Sequence, residues 1–206
     1  MNFSKLIAAL FVLTVMSVFT NTYSQTTSMG IEGGINLANV NTTPSFNTSS
    51  KTGFMVGGFA DIGVSRIVSI KPAVRYILKG YTTQLQQGIN LTESYSYIEI
   101  PLMIKAKLPL NQVKPYFEAG PTLGVQLSAN AEFSLNGQVQ DQDVSTFYSA
   151  IDFGLFFGSG VEFRVAPGTD IFTGFGYSLG LTNISKTAVT GKNNGFQISA
   201  GIKFGL

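Results

Sequence analysis

Eight times along this chain, apolar and polar residues alternate with the two-residue period of a β-strand, and no helical period of useful length interrupts the series. The runs fall at about 28–37, 53–62, 67–79, 96–107, 115–128, 149–163 and 170–181, and the last carries Phe196 to Leu206. One face of each run holds mainly Ile, Leu, Val and Phe, as with Ile98, Ile100, Leu102 and Ile104 in the fourth. Every charge within the runs falls on the other face: Glu32, Asp61, Lys71, Arg75, Lys79, Glu99, Lys105, Lys107, Glu118, Asp152, Glu162 and Lys203. That polar face is also crowded with glycine, as in Gly30 and Gly34, Gly158 and Gly160, Gly174 and Gly176.

The connections alternate in length. Those at about 38–52, 80–95, 129–148 and 182–195 are long and rich in Asn, Ser, Thr, Gln and Gly. Those at 63–66, 108–114 and 164–169 are short. Short turns at one end and long loops at the other describe an even-stranded meander of outer-membrane type, whose strands of roughly 10 residues cross an apolar band roughly 25 Å tall. The expected fold is all-β: an eight-stranded antiparallel up-and-down transmembrane β-barrel.

Alternation alone leaves open which face looks inward, since a soluble lipocalin-like barrel would put its apolar face inside around a ligand. Two features favour the membrane. Charges confined to one face are expected where a misplaced Lys or Arg costs roughly 2–4 kcal/mol at the bilayer midplane. Glycine, which weakens a solvated strand, suits a cramped lumen where large side chains need small neighbours. Six acids (Glu32, Asp61, Glu99, Glu118, Asp152, Glu162) and six bases (Lys71, Arg75, Lys79, Lys105, Lys107, Lys203) then form a lumen charge network. Charges so confined must be paired or hydrated. The alternative is a narrow small-solute or ion channel, although eight strands leave an interior that side chains just fill.

The first residues, MNFSKLIAALFVLTVMSVFTNTYSQ, read as a secretory signal peptide: Lys5, an apolar stretch from Leu6 to Phe19, and small residues at Thr22 and Ser24. The apolar run is shorter than the roughly 20 residues of a spanning helix. Cleavage after Ser24 gives residues 1–24 as signal peptide and 25–206 as one barrel domain, expected in the bacterial outer membrane. The chain contains no His and no Cys, which removes histidine triads, thiol nucleophiles and ordinary zinc sites. The segments Gly158-Ser159-Gly160 and Gly174-Phe175-Gly176 sit mid-strand with no helix after them, unlike a phosphate loop. Glu99 and Glu118 on neighbouring strands are a candidate carboxylate pair, or partners for Lys105 or Arg75. Asp141-Gln142-Asp143 is a candidate divalent-cation loop, or a solvated one. No basic patch points to nucleic acid. Neither an enzyme nor a cofactor is implied.

Several stretches, together with the C-terminal strand, span most of the mature chain: KPAVRYILKG (71–80), YIEIPLMIKAKL (97–108), KPYFEAGPTLG (114–124), FGLFFGSGVEF (153–163) and GYSLGLTNI (176–184). In order and spacing they resemble the Bacteroidota outer-membrane β-barrel family that includes PorT-like proteins. The resemblance implies an eight-stranded barrel in the outer membrane; some relatives serve type IX secretion, and no catalytic residues are known for the family. Where that family often places a basic residue before Tyr-Ser of the seventh strand, this chain has Gly176. The function to expect is therefore non-enzymatic: a scaffold, a surface-binding protein acting through four long loops, or a secretion accessory. Its partners would be outer-membrane lipid, the barrel assembly machinery during insertion, and an unknown surface or secretion partner.

The ending SAGIKFGL places Ser199, Gly201, Phe204 and Leu206 in the pattern of a C-terminal assembly signal. An eighth strand must also close against the first, because a sheet edge left open in lipid would strand its backbone polar groups.

Overall fold

The computed structural model describes residues 27–206 apart from 87–88, 109, 111 and 136–137; the expected signal peptide, 1–24, lies outside the described residues. Nine strands follow in order: β1 (Thr27–Thr43), β2 (Thr48–Gly63), β3 (Val68–Gln86), β4 (Ile89–Lys107), β5 (Val113–Leu135), β6 (Gln138–Asp143), β7 (Ile151–Ala166), β8 (Thr169–Gly180) and β9 (Thr190–Gly205). All except β6 form a closed antiparallel ring of eight, each strand beside its neighbour in the chain. The β1–β9 pairing closes the ring, with Met29 opposite Phe204 and Ile31 opposite Ile202. The Leu206 N–H donates to the Thr27 carbonyl at 2.9 Å, so the seam is bonded to its last residue. β6 pairs with the outer part of β5, outside the ring.

The interior and exterior are the reverse of a soluble barrel's, which removes the lipocalin-like alternative. Inside, Glu99 and Glu162 are fully covered. Outside, Ile31 and Ile104 are 64 % exposed and Phe117 is 66 % exposed. The period-two pattern thus serves lipid on one face and a polar, side-chain-filled lumen on the other.

At one end the turns are short. Pro167-Gly168 joins β7 to β8 in two residues; proline presets the first central position and Gly168 takes φ +72° at the second. At the other end the strands run far past the membrane band. β5 has 23 residues and β3 and β4 have 19 each, against the roughly 10 needed to cross. Three of the four long loops expected from the sequence are therefore largely strand, with only residues 44–47 left between β1 and β2, while 182–189 remains a connection. The physical reason lies in which face changes. Beyond the lipid the outward positions become Thr82, Thr92 and Ser94, so the apolar alternation fades while the backbone ladder continues. The segment around Asp141-Gln142-Asp143, expected as loop, is likewise the strand β6.

Two apolar clusters fill the lumen between its charges. The lower holds Phe59, Ala73, Tyr116 and Phe172. The upper holds Val40, Met55, Ile77, Tyr95, Tyr97, Ala129 and Ile184. Lumen glycines make the room: a Cβ on Gly160 or Gly174 would run into the hydroxyl end of Tyr116.

Candidate functional site

The inward face of each strand carries one or more charges, and the closed ring brings them to a common axis. The upper series begins at Asp152 on β7. Lys79 Nζ lies 3.1 Å from Asp152 and 2.8 Å from Glu99. Arg75 Nε donates to Glu99 Oε1 at 2.9 Å, and its guanidinium reaches Glu32 at 3.8 Å. Lys71 then bridges Glu32 at 2.8 Å and Glu118 at 3.6 Å. Seven side chains of strictly alternating sign therefore cross the lumen in one chain. Glu99 and Glu118 stand at different points along it with cations between them, so they form no carboxylate pair.

The lower series starts at Lys107, 3.0 Å from Asp61. Lys203 links Asp61 at 3.2 Å to Glu162 at 2.6 Å, and Lys105 also pairs with Glu162. Lys203 further approaches Asp170 at 3.7 Å, and Lys114 holds Asp170 at 2.8 Å. The twelve charges named from the sequence all face inward, in these two series. Aromatic rings separate them: Lys71 lies 4.6 Å from the Phe59 ring centroid, Lys79 5.1 Å from Tyr97 and Lys105 3.7 Å from Tyr116. Where the resembled family often has a basic residue, Gly176 leaves space that the Phe156 ring fills, and the Arg75 guanidinium sits 5.7 Å from that ring. The other glycine segment, Gly158-Ser159-Gly160, lies within β7.

Sequence reasoning missed three inward charges: Glu93, Lys114 and Asp170. Their phase was legible. Counting back by twos from Glu99 passes Tyr97 and Tyr95 to Glu93, and the same count joins Lys114 to Glu118 and Asp170 to Phe172. Glu93 and Lys114 lie just beyond the alternating runs 96–107 and 115–128, and Asp170 is the first residue of the run 170–181.

Above the membrane band the lumen opens into a cup of about 360 Å³. Its floor is Glu93, paired in register with Tyr81 across β3 and β4. The hydroxyls of Tyr95 and Tyr148 both donate to Glu93 Oε2. The ring centroids lie 4.8 Å apart for Tyr95 and Tyr148, and 6.4 Å apart for Tyr81 and Tyr95. Burial, reinforced by the Glu93 charge, pushes the Tyr81 phenol up to about 12, and it pushes Tyr95 and Tyr148 the same way. All three remain protonated donors at neutral pH. The residues that complete the cup include Val40, Phe46, Val144, Phe147 and Ile184, from three of the four outer connections and the strand ends beside them.

Asp141 and Asp143 lie outside this cup and are exposed. Asp143 Oδ1 accepts the Ser145 N–H at 2.8 Å, and the Ser145 hydroxyl together with this turn bond draws the carboxyl below its ordinary range. Among the described residues, no three acids gather closely enough to hold a metal ion.

An eight-stranded ring with a lipid-facing apolar belt, a charged lumen and strands extended at one end defines an outer-membrane β-barrel. Residues 23–186 match the family model described as the outer membrane protein beta-barrel domain, and the chain belongs to that family. It is a protein of the bacterial outer membrane. Among solved structures, Neisserial surface protein A shares the fold at 16% identity and a TM-score of 0.52, over 89% of this chain and 100% of that one. OprG from Pseudomonas aeruginosa does so at 10% identity and a TM-score of 0.50, over 88% and 97%. Likeness at these identities is a likeness of fold. No curated protein matches the sequence.

Proposed function

We propose that this protein is a non-enzymatic surface-binding barrel whose lumen is a closed scaffold and whose recognition is carried at its outer end. The observation that carries the reading is the upper ion-pair chain from Asp152 to Glu118, which crosses the lumen and leaves its carboxylates held by lysine or arginine. A conducting path would require those pairs to separate, and breaking one buried pair costs about 3–5 kcal/mol. The larger cavity, by contrast, opens outward above the membrane. That placement favours surface binding over a secretion accessory, the role some PorT-like relatives hold. Planar-bilayer recording tests the reading: purified protein should insert without unitary conductance, and reproducible single-channel steps would replace the scaffold by a channel.

Two further assignments complete the proposal. Residues 1–24 export the chain, so N-terminal sequencing of the membrane-inserted protein should begin at Gln25. Ser199, Gly201, Phe204 and Leu206 form the address read by the barrel assembly machinery. Phe204 projects outward from the closing strand, 49 % exposed, where a receptor can reach it before insertion. Phe204→Asp, or truncation after Lys203, should abolish the heat-modifiable folded band in outer-membrane fractions; normal insertion of both variants would refute the signal.

A further inference from the structure

Among the buried carboxylates described, six have a lysine or arginine partner: Glu32, Asp61, Glu99, Asp152, Glu162 and Asp170. Glu93 is the exception. Among the described residues no lysine or arginine forms an ion pair with it: Lys79 pairs with Glu99 and Asp152, and Lys51 bonds the hydroxyl of Ser94. The Tyr95 and Tyr148 hydroxyls converge on Oε2, and the Tyr81 phenol also bonds the carboxylate. A carboxylate held in this way, at the floor of an apolar and aromatic cavity, is a negative charge without its counter-ion.

We propose that the outer cup binds a small amphipathic organic cation, an amine or quaternary ammonium that carries a compact apolar group, with Glu93 as its counter-charge. The inference rests on the surface-binding reading and names its ligand class. The cavity's 360 Å³ lies in the range of small-molecule sites. An anion would meet the Glu93 charge directly. A neutral apolar guest would cover that carboxylate and supply no partner, an unfavourable exchange. A hard metal ion needs several oxygen ligands, and Glu93 is the one carboxylate among the residues described as lining the cup. An organic cation satisfies all three constraints at once. Its charge faces the Glu93 carboxylate, its ammonium lies among the rings of Tyr81, Tyr95 and Tyr148, where cation–π attraction adds to the ion pair, and its hydrocarbon meets Val144, Phe147 and Ile184. The aliphatic stem of a partner's lysine is too slender to fill the same volume, which favours a small molecule with a branched or aromatic body.

Titration calorimetry on the full barrel in an uncharged maltoside detergent tests this, with benzyltrimethylammonium as probe and benzyl alcohol and benzenesulfonate as neutral and anionic controls. The expected result is saturable one-to-one binding of the ammonium alone. Glu93→Gln should weaken it by about tenfold or more, and Tyr148→Leu by about fivefold, through loss of one aromatic wall. Tyr148→Phe, which keeps the ring, should bind within about threefold of the parent. Heat-modifiable gel migration verifies that each variant is folded, and Tyr148→Leu and Tyr148→Phe carry the test if Glu93→Gln does not fold. Absence of saturable binding overturns the proposal. So does equal binding by folded Glu93→Gln, equal binding of either control, or tighter binding of N-acetyl-lysine amide than of the probe. A silent bilayer with no probe binding would defeat this inference alone, whereas unitary conductance would defeat the scaffold reading beneath it.

Discussion

The membrane-embedded lumen and the outer cup are successive stretches of the same inward face, built by the same strands, and they solve opposite problems. Below, at the level of the lipid, charges are dense, and Lys71, Arg75, Lys79, Lys105 and Lys203 each sit between or beside carboxylates. Above, six residues along β4 from Glu99, Glu93 is surrounded by tyrosine and aliphatic side chains and meets no cation. The difference teaches where pairing is compulsory. Within the bilayer a lumen charge has neither solvent nor a mobile neighbour to answer it, so it must be satisfied by the chain itself. Above the bilayer, an opening to water allows a carboxylate to remain available to something outside the protein.

That contrast can be broken most directly by removing one charge from each region. Arg75→Leu strips Glu99 of one of its two cations and should cost about 3–5 kcal/mol in urea unfolding of the reconstituted barrel. Glu93→Gln, whose amide oxygen can still accept both phenol hydrogen bonds, should cost less, about 1 kcal/mol. Equal losses would show that both regions are structural and that the cup has no free charge. The double variant Arg75→Leu/Glu99→Leu, apolar at both positions, should recover much of the first loss.

A packing test comes next. Gly160→Leu drives its side chain against both the Thr173 carbonyl and the Tyr116 hydroxyl and should destabilise by at least about 1–3 kcal/mol, the usual cost of overpacking. Adding Tyr116→Ala should restore part of that loss; no recovery would mean that Gly160 is needed for the backbone and not for room. A smaller effect is expected from pH. The Tyr81 phenol is raised from its ordinary value of 10 to about 12 in the folded protein. A phenol that holds its proton more tightly when folded contributes stability that is complete below pH 10 and is lost as pH rises through 12. Urea midpoints should therefore be insensitive to this group up to pH 10 and fall above it, together with tyrosinate absorbance at the same pH. An absorbance rise completed near pH 10 would show that the cup tyrosines are ordinary solvated phenols. The smallest effect should come from the outward hydroxyl pair Thr82–Thr92, 3.1 Å apart, where Thr92→Val should shift stability by only about 0.2–1 kcal/mol.

Ile98 to Ile104 on β4 show how much the sequence by itself determined. Their alternation with Tyr97, Glu99, Met103 and Lys105 was enough to define a strand, its lipid face and the lumen position of its charges, because lipid penalises any error in that phase. The glycines opposite large residues were legible for a related reason, since a narrow lumen has fixed room. Only the tertiary structure decided the rest. Which acid meets which base depends on the stagger of strands around a closed ring: Lys79 and Asp152 are 73 positions apart, and Lys203 and Asp61 are 142 apart. The length of the strands was hidden as well, since hydrogen-bonded backbone continues beyond the lipid after the hydropathy pattern that reveals it has ended. The cup was hidden most completely. Val40, Glu93, Tyr148 and Ile184 come from four separate outer segments, each of which reads alone as a polar connection. Local alternation records only what each strand shows to lipid and lumen, whereas a binding cavity exists only where closure of the ring brings distant segments together.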